Sequence, residues 1–106
     1  MRLEECPLRA GLDAIDGKWK PLIMYHLMSG VKRFGELQKL LPSTAQKILT
    51  QQLRELEHDG IIVRTVFSDV RPHVEYSFSE KGMELRAALH ELCAWAVKHC
   101  MTERSA

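Results

Sequence analysis

The sequence predicts a mainly α-helical fold of the α+β class, on the evidence of three patterns in the middle of the chain. Two amphipathic segments, 34–41 and 44–59, are separated by a short break at Pro42, which predicts two helices joined by a tight turn. Two segments rich in β-branched and aromatic residues, 61–67 and 74–78, follow with a polar tip between them, which predicts a hairpin. This order of elements is that of a winged helix-turn-helix, with further helices on its N-terminal and C-terminal sides.

The first helix of this unit is predicted from the spacing of its apolar residues. Phe34, Leu37, Leu40 and Leu41 recur at the intervals that place side chains on one helical face. Pro42 ends the helix, because the residue before a proline avoids helical backbone angles.

The second helix, the predicted recognition helix, runs from about 44 to 59. Ser43 and Thr44 are candidate N-caps, and Gln46 has the spacing of a capping box in which a hydroxyl and an amide satisfy the first backbone N–H groups. Gly60 is the expected end of the helix, because glycine readily adopts the left-handed conformation that follows a helix.

The two faces of the recognition helix differ in chemistry. Its predicted buried stripe consists of Ala45, Leu49, Leu53 and Leu56. Its opposite face carries polar residues at helical spacing, namely Lys47, Thr50, Gln51 and Arg54. These residue types suit a DNA groove, because glutamine pairs with adenine, arginine and lysine with guanine or phosphate, and the threonine methyl with thymine. The alternative interpretation is an ordinary amphipathic helix whose polar face is solvated. The neighbouring helix and hairpin favour the interpretation that this face contacts DNA.

Residues 61–78 are predicted to form the wing. Its second arm, 74–78, alternates apolar and polar residues, so that one face is expected to be buried. Its tip holds Arg71 and His73, and we expect Arg71 to reach a phosphate or the adjacent minor groove. A solvated loop is an equally good interpretation of Arg71 taken alone.

The distribution of charge supports a nucleic-acid partner more than the total does. The 106-residue chain, expected to form one domain over residues 1–106, has a net charge of only +1. Residues 17–54 nevertheless carry seven basic residues and one acidic residue. This basic block coincides with the predicted helix-turn-helix and predicts double-stranded DNA as the partner. The residues expected to contact DNA are Lys32, Arg33, Ser43, Thr44, Gln46, Lys47, Thr50, Gln51, Arg54, Arg71 and His73.

Further helices are predicted on both sides of this unit, at 8–15 and 18–28 upstream and at about 80–101 downstream. The downstream helix has an apolar arc that includes Leu85, Leu89, Leu92, Trp95 and Ala96. This arc is too wide for a helix that packs on one small domain, so it predicts a homodimer with these residues in the interface. A dimer would set two recognition helices about 34 Å apart, the spacing that reads a palindrome.

Other classes of function find little support. No apolar run approaches the about 20 residues of a membrane span and no signal peptide is evident, so a cytoplasmic location without membrane contact is expected. The sequence contains no phosphate-binding glycine loop, nucleophile elbow or zinc-protease motif, so neither an enzyme nor a cofactor is predicted. His90, Cys93, His99 and Cys100 match no established zinc spacing, and packing explains them better than a metal.

Cys6 is the cysteine most open to chemistry. It lies in a polar segment ahead of the first predicted helix, whereas Cys93 and Cys100 fit the packing of the last helix. The neighbouring Glu4 and Glu5 disfavour the reactive thiolate, so an inert terminal thiol remains the alternative to a redox sensor.

Several segments together resemble the HxlR-type transcriptional regulators, a winged-helix group related to the MarR type. They are Cys6-Pro7, Asp16-Gly-Lys-Trp-Lys20, Lys32-Arg-Phe-Gly-Glu-Leu37, Leu49-Thr-Gln-Gln-Leu-Arg-Glu-Leu56, Asp59-Gly60 and Val74-Glu-Tyr-Ser77. The resemblance implies homodimers that form through the terminal helices and bind operator DNA. It also implies that a cysteine in the position of Cys6 senses oxidants or electrophiles in some members.

Two further hypotheses remain from the sequence, of which only the first is an alternative to DNA binding and the second is compatible with it. One is a winged-helix protein-interaction module that has lost DNA binding, which acidic residues on the recognition face would have favoured. The other is regulation by a small-molecule inducer bound between the dimer helices and the winged domain, for which the sequence offers no dedicated signature.

Overall fold

The protein forms the predicted helices and wing in a computed structural model that describes residues 5–101. Glu4, one of the two acidic neighbours of Cys6, lies outside the described residues. The elements are α1 (Pro7–Ile15), α2 (Lys20–Leu27), β1 (Lys32–Arg33), α3 (Phe34–Leu40), α4 (Gln46–His58), β2 (Ile62–Phe67), β3 (His73–Phe78) and α5 (Glu80–Ala96), followed by a π-helical turn (Val97–Met101). The predicted α+β class and winged helix-turn-helix are confirmed.

The sheet contains a strand that the sequence did not predict. Its order is β1-β3-β2, with antiparallel pairing throughout. β1 consists only of Lys32 and Arg33, which pair with Tyr76 and Glu75 of β3. Two residues are too few to show a strand periodicity, and β1 is extended because the edge of β3 supplies hydrogen-bonding partners.

The second strand of the wing begins one residue earlier than predicted. His73 belongs to β3 and lies opposite Phe67 of β2, so the tip is confined to residues 68–72. The two rings stack with centroids 4.7 Å apart and planes 10° from parallel. This cross-strand contact extends the hairpin into what the sequence indicated was the turn.

The core lies between α2, α3, α4 and the inner face of the sheet. Its buried members are Ile23, Met24, Leu27, Leu37, Leu41, Leu49, Leu53, Leu56, Ile61, Ile62 and Tyr76. Leu40, predicted to be on the buried face of α3, is 43% exposed. The helix ends at Leu40 and the chain then turns, so Leu41 enters the core from a non-helical position.

The start of the recognition helix α4 corrects the predicted capping box. The N-cap is Ala45, which is exposed rather than buried, and no side chain caps the helix. The backbone N–H of Thr44 donates to the Leu41 carbonyl at 3.0 Å, which closes the turn between the helices. This turn buries Thr44, whose hydroxyl has no hydrogen-bond partner among the described residues, so neither Thr44 nor Ser43 occupies the capping position.

Only part of the apolar arc on α5 is used by this chain's own fold. Leu85 and Leu89 are half-buried and pack against the core, and Ala96 is also half-buried. Leu92 and Trp95 remain 54% and 57% exposed. The arc therefore divides into a first part that covers the domain and a second part that is uncovered in the single chain.

The first turn of α5 is joined closely to the end of α4. Ser79 is the N-cap of α5 and accepts a hydrogen bond from the Gly82 N–H at 2.9 Å, while its hydroxyl donates to the carbonyl of Gly60. The Lys81 ammonium donates to the Asp59 carbonyl at 2.8 Å. A Cβ atom at Gly82 would lie 1.9 Å from the carbonyl oxygen of Ile61, so glycine is required for this approach.

Replacement of Gly82 should therefore be costly. We expect Gly82→Ala to destabilise the protein by about 3 kcal/mol, because the added methyl forces α5 away from the backbone at the start of the wing. Urea denaturation followed by circular dichroism measures the change. Gly35→Ala is the matched control, since its Cβ would meet nothing within 4 Å and stability should be unchanged or slightly raised. Equal stability of Gly82→Ala and the wild type would contradict this account of the junction.

Candidate nucleic-acid interface

The outer face of α4 is an exposed polar surface. It is lined by Gln46, Lys47, Thr50, Gln51 and Arg54, which together border a shallow open depression. Thr50 is half-buried and its hydroxyl donates to the Gln46 carbonyl at 2.9 Å, one helical turn earlier. The other four side chains are exposed to solvent. The structure thus brings five of the predicted DNA contacts together on one face of α4.

Two cations on this surface have no competing partner. Within residues 5–101, neither Lys47 nor Arg54 makes an ion pair or a hydrogen bond through its side chain. Their donors are therefore available for the acceptors of a guanine edge or for phosphate oxygens. An unpaired cation on a protruding helix favours an anionic partner over a purely structural role.

Lys20 corrects the charge argument drawn from the sequence. It belongs to the basic block, but it is only 9% exposed, and its ammonium lies 2.7 Å from Oε1 of Glu55 on α4. The Lys20 hydrogen bond and charge hold the pKa of the Glu55 carboxyl below its ordinary value. Lys20 therefore fixes α4 against α2, and the two charges neutralise each other instead of attracting DNA.

The other residues that are predicted to contact DNA differ in their exposure to solvent. Arg33 and Ser43 are exposed, whereas Thr44 is 4% exposed and does not belong to the outer surface. Lys32 is half-buried, and its ammonium donates to the Ser29 hydroxyl at 3.0 Å. Arg71 is exposed at the tip of the wing. Of these residues, Arg33, Ser43 and Arg71 are accessible to a partner, whereas Thr44 is not.

The His73 side chain makes several contacts within the wing. Its Nδ1 lies 2.7 Å from the Arg71 carbonyl and its Nε2 lies 2.9 Å from Oε2 of Glu75. With its ring stacked on Phe67 as well, the side chain is occupied on both nitrogens and one face. His73 thereby supports the backbone that presents Arg71, and its direct contact with DNA stays a prediction.

Arg64 is a candidate contact that the sequence did not predict. It lies on β2 opposite Tyr76 and lines a polar cavity of about 330 Å³ between α4 and the wing, together with Thr50, Arg54 and Glu57. Its guanidinium has no partner within the part of the chain that the structure describes. The available signal was a basic residue in a strand that directly follows the recognition helix, but only the folded sheet shows that it faces the same cleft as Arg54.

Other kinds of site find no support in residues 5–101. No helix there is long and apolar enough to cross a membrane. No group of three or more histidine, cysteine or acidic residues in that range is arranged to hold a metal ion. The thiols of Cys6, Cys93 and Cys100 are all free.

Comparison with known proteins agrees with this geometry. The pattern of the HxlR-like helix-turn-helix family matches residues 14–104. The uncharacterized HTH-type transcriptional regulator YtcD of Bacillus subtilis (strain 168) is 52% identical over 92 residues, which cover 87% of this chain and 73% of YtcD. The chain therefore belongs to the HxlR-like helix-turn-helix family.

Solved structures show the same fold at substantial sequence identity. The redox regulator HypR in its reduced form superposes with a TM-score of 0.85 at 42% identity, covering 95% of this chain and 100% of that chain. The reduced form of the transcriptional regulator YodB from B. subtilis has a TM-score of 0.77 at 36% identity, covering 90% of this chain and 94% of that chain. The elements described above are thus those of a family of winged-helix regulators.

Proposed function

We propose that this protein is a sequence-specific DNA-binding transcriptional regulator that acts as a homodimer. The observation that carries the proposal is the outer face of α4, where Lys47 and Arg54 are exposed beside Thr50 and Gln51 and have no side-chain partner within residues 5–101. The description of YtcD as an HTH-type transcriptional regulator supports the same function. The proposal places the protein with chromosomal DNA, in the cytoplasm.

The proposed docking follows from the positions of the free cations. α4 enters the major groove with its polar face toward the base edges, as the recognition helix of a helix-turn-helix does. Arg64, in the cleft between α4 and the sheet, contacts the sugar-phosphate backbone at the edge of the groove. Arg71 at the wing tip reaches the neighbouring backbone or minor groove. Lys32 and Arg33 lie at the start of α3 and contact phosphates.

A protein-interaction module without DNA binding is the competing function. Such a module has no need of uncompensated cations on α4, and the acidic Glu55 of that helix is neutralised by Lys20. Lys47, Arg54 and Arg64 have no side-chain partner among the described residues, and they favour DNA because their charge is complementary to that of a phosphate backbone.

Alanine substitutions separate base contacts from phosphate contacts. Arg54→Ala should cost about 1–3 kcal/mol of binding free energy and relax specificity at one position per half-site, because a base-reading side chain is lost. Arg64→Ala should weaken binding to all sequences alike and reduce the salt slope by about 1. Fluorescence anisotropy with a selected operator and a random duplex at several salt concentrations measures both.

The matched control is Arg9→Ala on α1. It removes the same charge but only a surface ion pair with Asp13, whose nitrogen and oxygen lie 3.0 Å apart. Its DNA affinity should match that of the wild type. Unchanged operator affinity in both Arg54→Ala and Arg64→Ala would refute the proposed interface.

The uncovered apolar surface supports the homodimer. Leu8 and Leu12 on α1 are 71% and 40% exposed, and Leu92 and Trp95 on α5 are more than half exposed. Apolar residues also continue into the last turn, where Val97 is 56% exposed. Side chains of this size, at the two ends of the chain, are typical of an interface that a second copy covers. A twofold pair would present two α4 helices to a palindromic site.

Charge introduced on this surface should dissociate the dimer. We expect the wild type to be a dimer at micromolar concentration and Leu92→Asp to be a folded monomer, since the carboxylate would be buried without a partner. Size-exclusion chromatography with light scattering measures the mass. Val70→Asp is the control, because Val70 is 90% exposed at the wing tip and far from the apolar surface. A monomeric wild type, or a dimeric Leu92→Asp, would contradict this interface.

Cys6 is the second functional element that we propose, as a sensor of oxidants or electrophiles. It is the N-cap of α1, its thiol is half-buried, and its carbonyl accepts the Ala10 N–H at 3.0 Å. Modification of the thiol would disturb the start of α1, beside the apolar surface that includes Leu8. The similarity of this chain to the redox regulator HypR in its reduced form supports a redox role.

The comparison that tests Cys6 is operator binding by wild type and Cys6→Ser, before and after mild peroxide or an aldehyde. The wild type should lose or change binding after treatment, while Cys6→Ser should bind as before, because the serine hydroxyl lacks the reactive thiolate. Cys93→Ser is the control and should respond as the wild type does. Equal responses of wild type and Cys6→Ser would exclude Cys6 as the sensor.

A further inference from the structure

Three side chains form a line of contacts from the interior to the DNA-facing surface of α4. The ammonium of Lys20 donates to Oε1 of Glu55, and the amide nitrogen of Gln51 donates to Oε2 of the same carboxylate at 3.4 Å. We propose that Glu55, held by Lys20, is a positioning residue that orients the Gln51 amide and thereby commits this position of the recognition helix to adenine. The inference rests on the proposed function, since it assigns the base that one of the groove contacts reads.

The inner end of this line is fixed. The Lys20 side chain is 11% exposed, and its ammonium lies 2.7 Å from Glu55, which is the only hydrogen-bond partner of that ammonium within residues 5–101. A buried ammonium separated from its carboxylate is left without solvation, so the pair resists separation. The carboxylate of Glu55 is thereby held in place while its second oxygen remains free to accept another donor.

The second carboxylate oxygen of Glu55, Oε2, determines how the side-chain amide of Gln51 is oriented. Gln51 and Glu55 are one helical turn apart on the same face of α4, so their side chains are neighbours. With the amide reversed, its carbonyl oxygen would face an ionised carboxylate, and both groups are acceptors. Glu55 therefore favours the orientation in which the NH₂ group of Gln51 lies against it and the carbonyl oxygen lies away.

In this orientation, the Gln51 amide presents one hydrogen-bonding edge to a base. The NH₂ group has two N–H bonds, of which one serves Glu55, and the other lies beside the carbonyl oxygen. The remaining edge is an acceptor next to a donor, which pairs with the N6 amino group and N7 of adenine. Guanine offers two acceptors there, and cytosine offers only one donor. Among the four bases, adenine alone satisfies both atoms of the edge.

The same contacts explain why an acidic residue can lie beside a DNA-binding surface. An isolated carboxylate near the groove would repel phosphate, but the pair of Lys20 and Glu55 carries no net charge. Glu55 can therefore orient Gln51 without repelling phosphate as an unpaired carboxylate would.

Selection of bound DNA from a random pool, followed by sequencing, tests the inference. Gln51→Ala first identifies the operator position that Gln51 reads, as the position where the base preference of the wild type is lost, whichever base that is. At that position Glu55→Gln should reduce the adenine-to-guanine preference by about tenfold, because a neutral amide accepts either orientation of Gln51. Affinity for random duplex DNA should not fall, since the substitution removes a negative charge.

Two further variants keep the test decisive. Lys20→Met with Glu55→Gln removes the ammonium together with its partner, and it should show the same loss of preference where Glu55→Gln alone does not fold. Glu84→Gln makes the same charge change on an exposed residue of α5, outside the surface that is proposed to bind DNA. It should retain the adenine preference of the wild type.

The outcomes distinguish this inference from the proposed function. Enrichment of an operator by the wild type, with its adenine preference unchanged in Glu55→Gln and in the double variant, would overturn the inference alone. An operator position read by Gln51 that prefers a base other than adenine would overturn it as well. Failure of the wild type to enrich any DNA sequence would overturn the proposed function and this inference together.

Discussion

The close approach of α5 to the end of the recognition helix holds the helices and the wing in their relative positions. Gly82 lies so near the Ile61 carbonyl that no side chain fits between them, and Ser79 and Lys81 hydrogen-bond to the last backbone groups of the preceding turn. Three elements meet there, namely the C-terminal end of α4, the first strand of the wing and the N-terminal end of α5. Their relative positions are therefore set by the approach of Gly82 to the Ile61 carbonyl and by the hydrogen bonds that the Ser79 and Lys81 side chains donate to backbone carbonyls.

A second contact extends this constraint to the other side of the domain. The guanidinium of Arg86 on α5 donates to the Met28 carbonyl at the end of α2, at 3.2 Å from Nε and 2.7 Å from Nη2. α5 is thus tied to the domain at two places before its exposed apolar part begins at about Leu92. In the proposed dimer, a change in the packing of the two α5 helices would be carried to α4, because the intervening contacts leave little freedom to absorb it.

The electrostatics of the interface depend on which charges are paired, and less on how many there are. Lys20 belongs to the basic block of the sequence, but its charge is paired with that of Glu55. Arg64 lies outside that block and has no partner among the described residues. In the proposed complex, the exposed cations near the DNA are Lys47 on the outer face of α4, Arg54 and Arg64 in the cleft that Glu57 also lines, and Arg71 at the wing tip. A count of charges along the chain locates this surface only approximately.

Local periodicity in the sequence is enough to predict the order of elements, the apolar stripe of Leu49, Leu53 and Leu56, and the polar face that includes Gln51. It could not determine features that arise from contacts between distant segments. β1 exists because β3 offers it partners, Thr44 is buried because a turn closes on Leu41, and Lys20 meets Glu55 across 35 residues. The tertiary structure decided these, since the energies of strand pairing, burial and ion pairing depend on which residues meet in space.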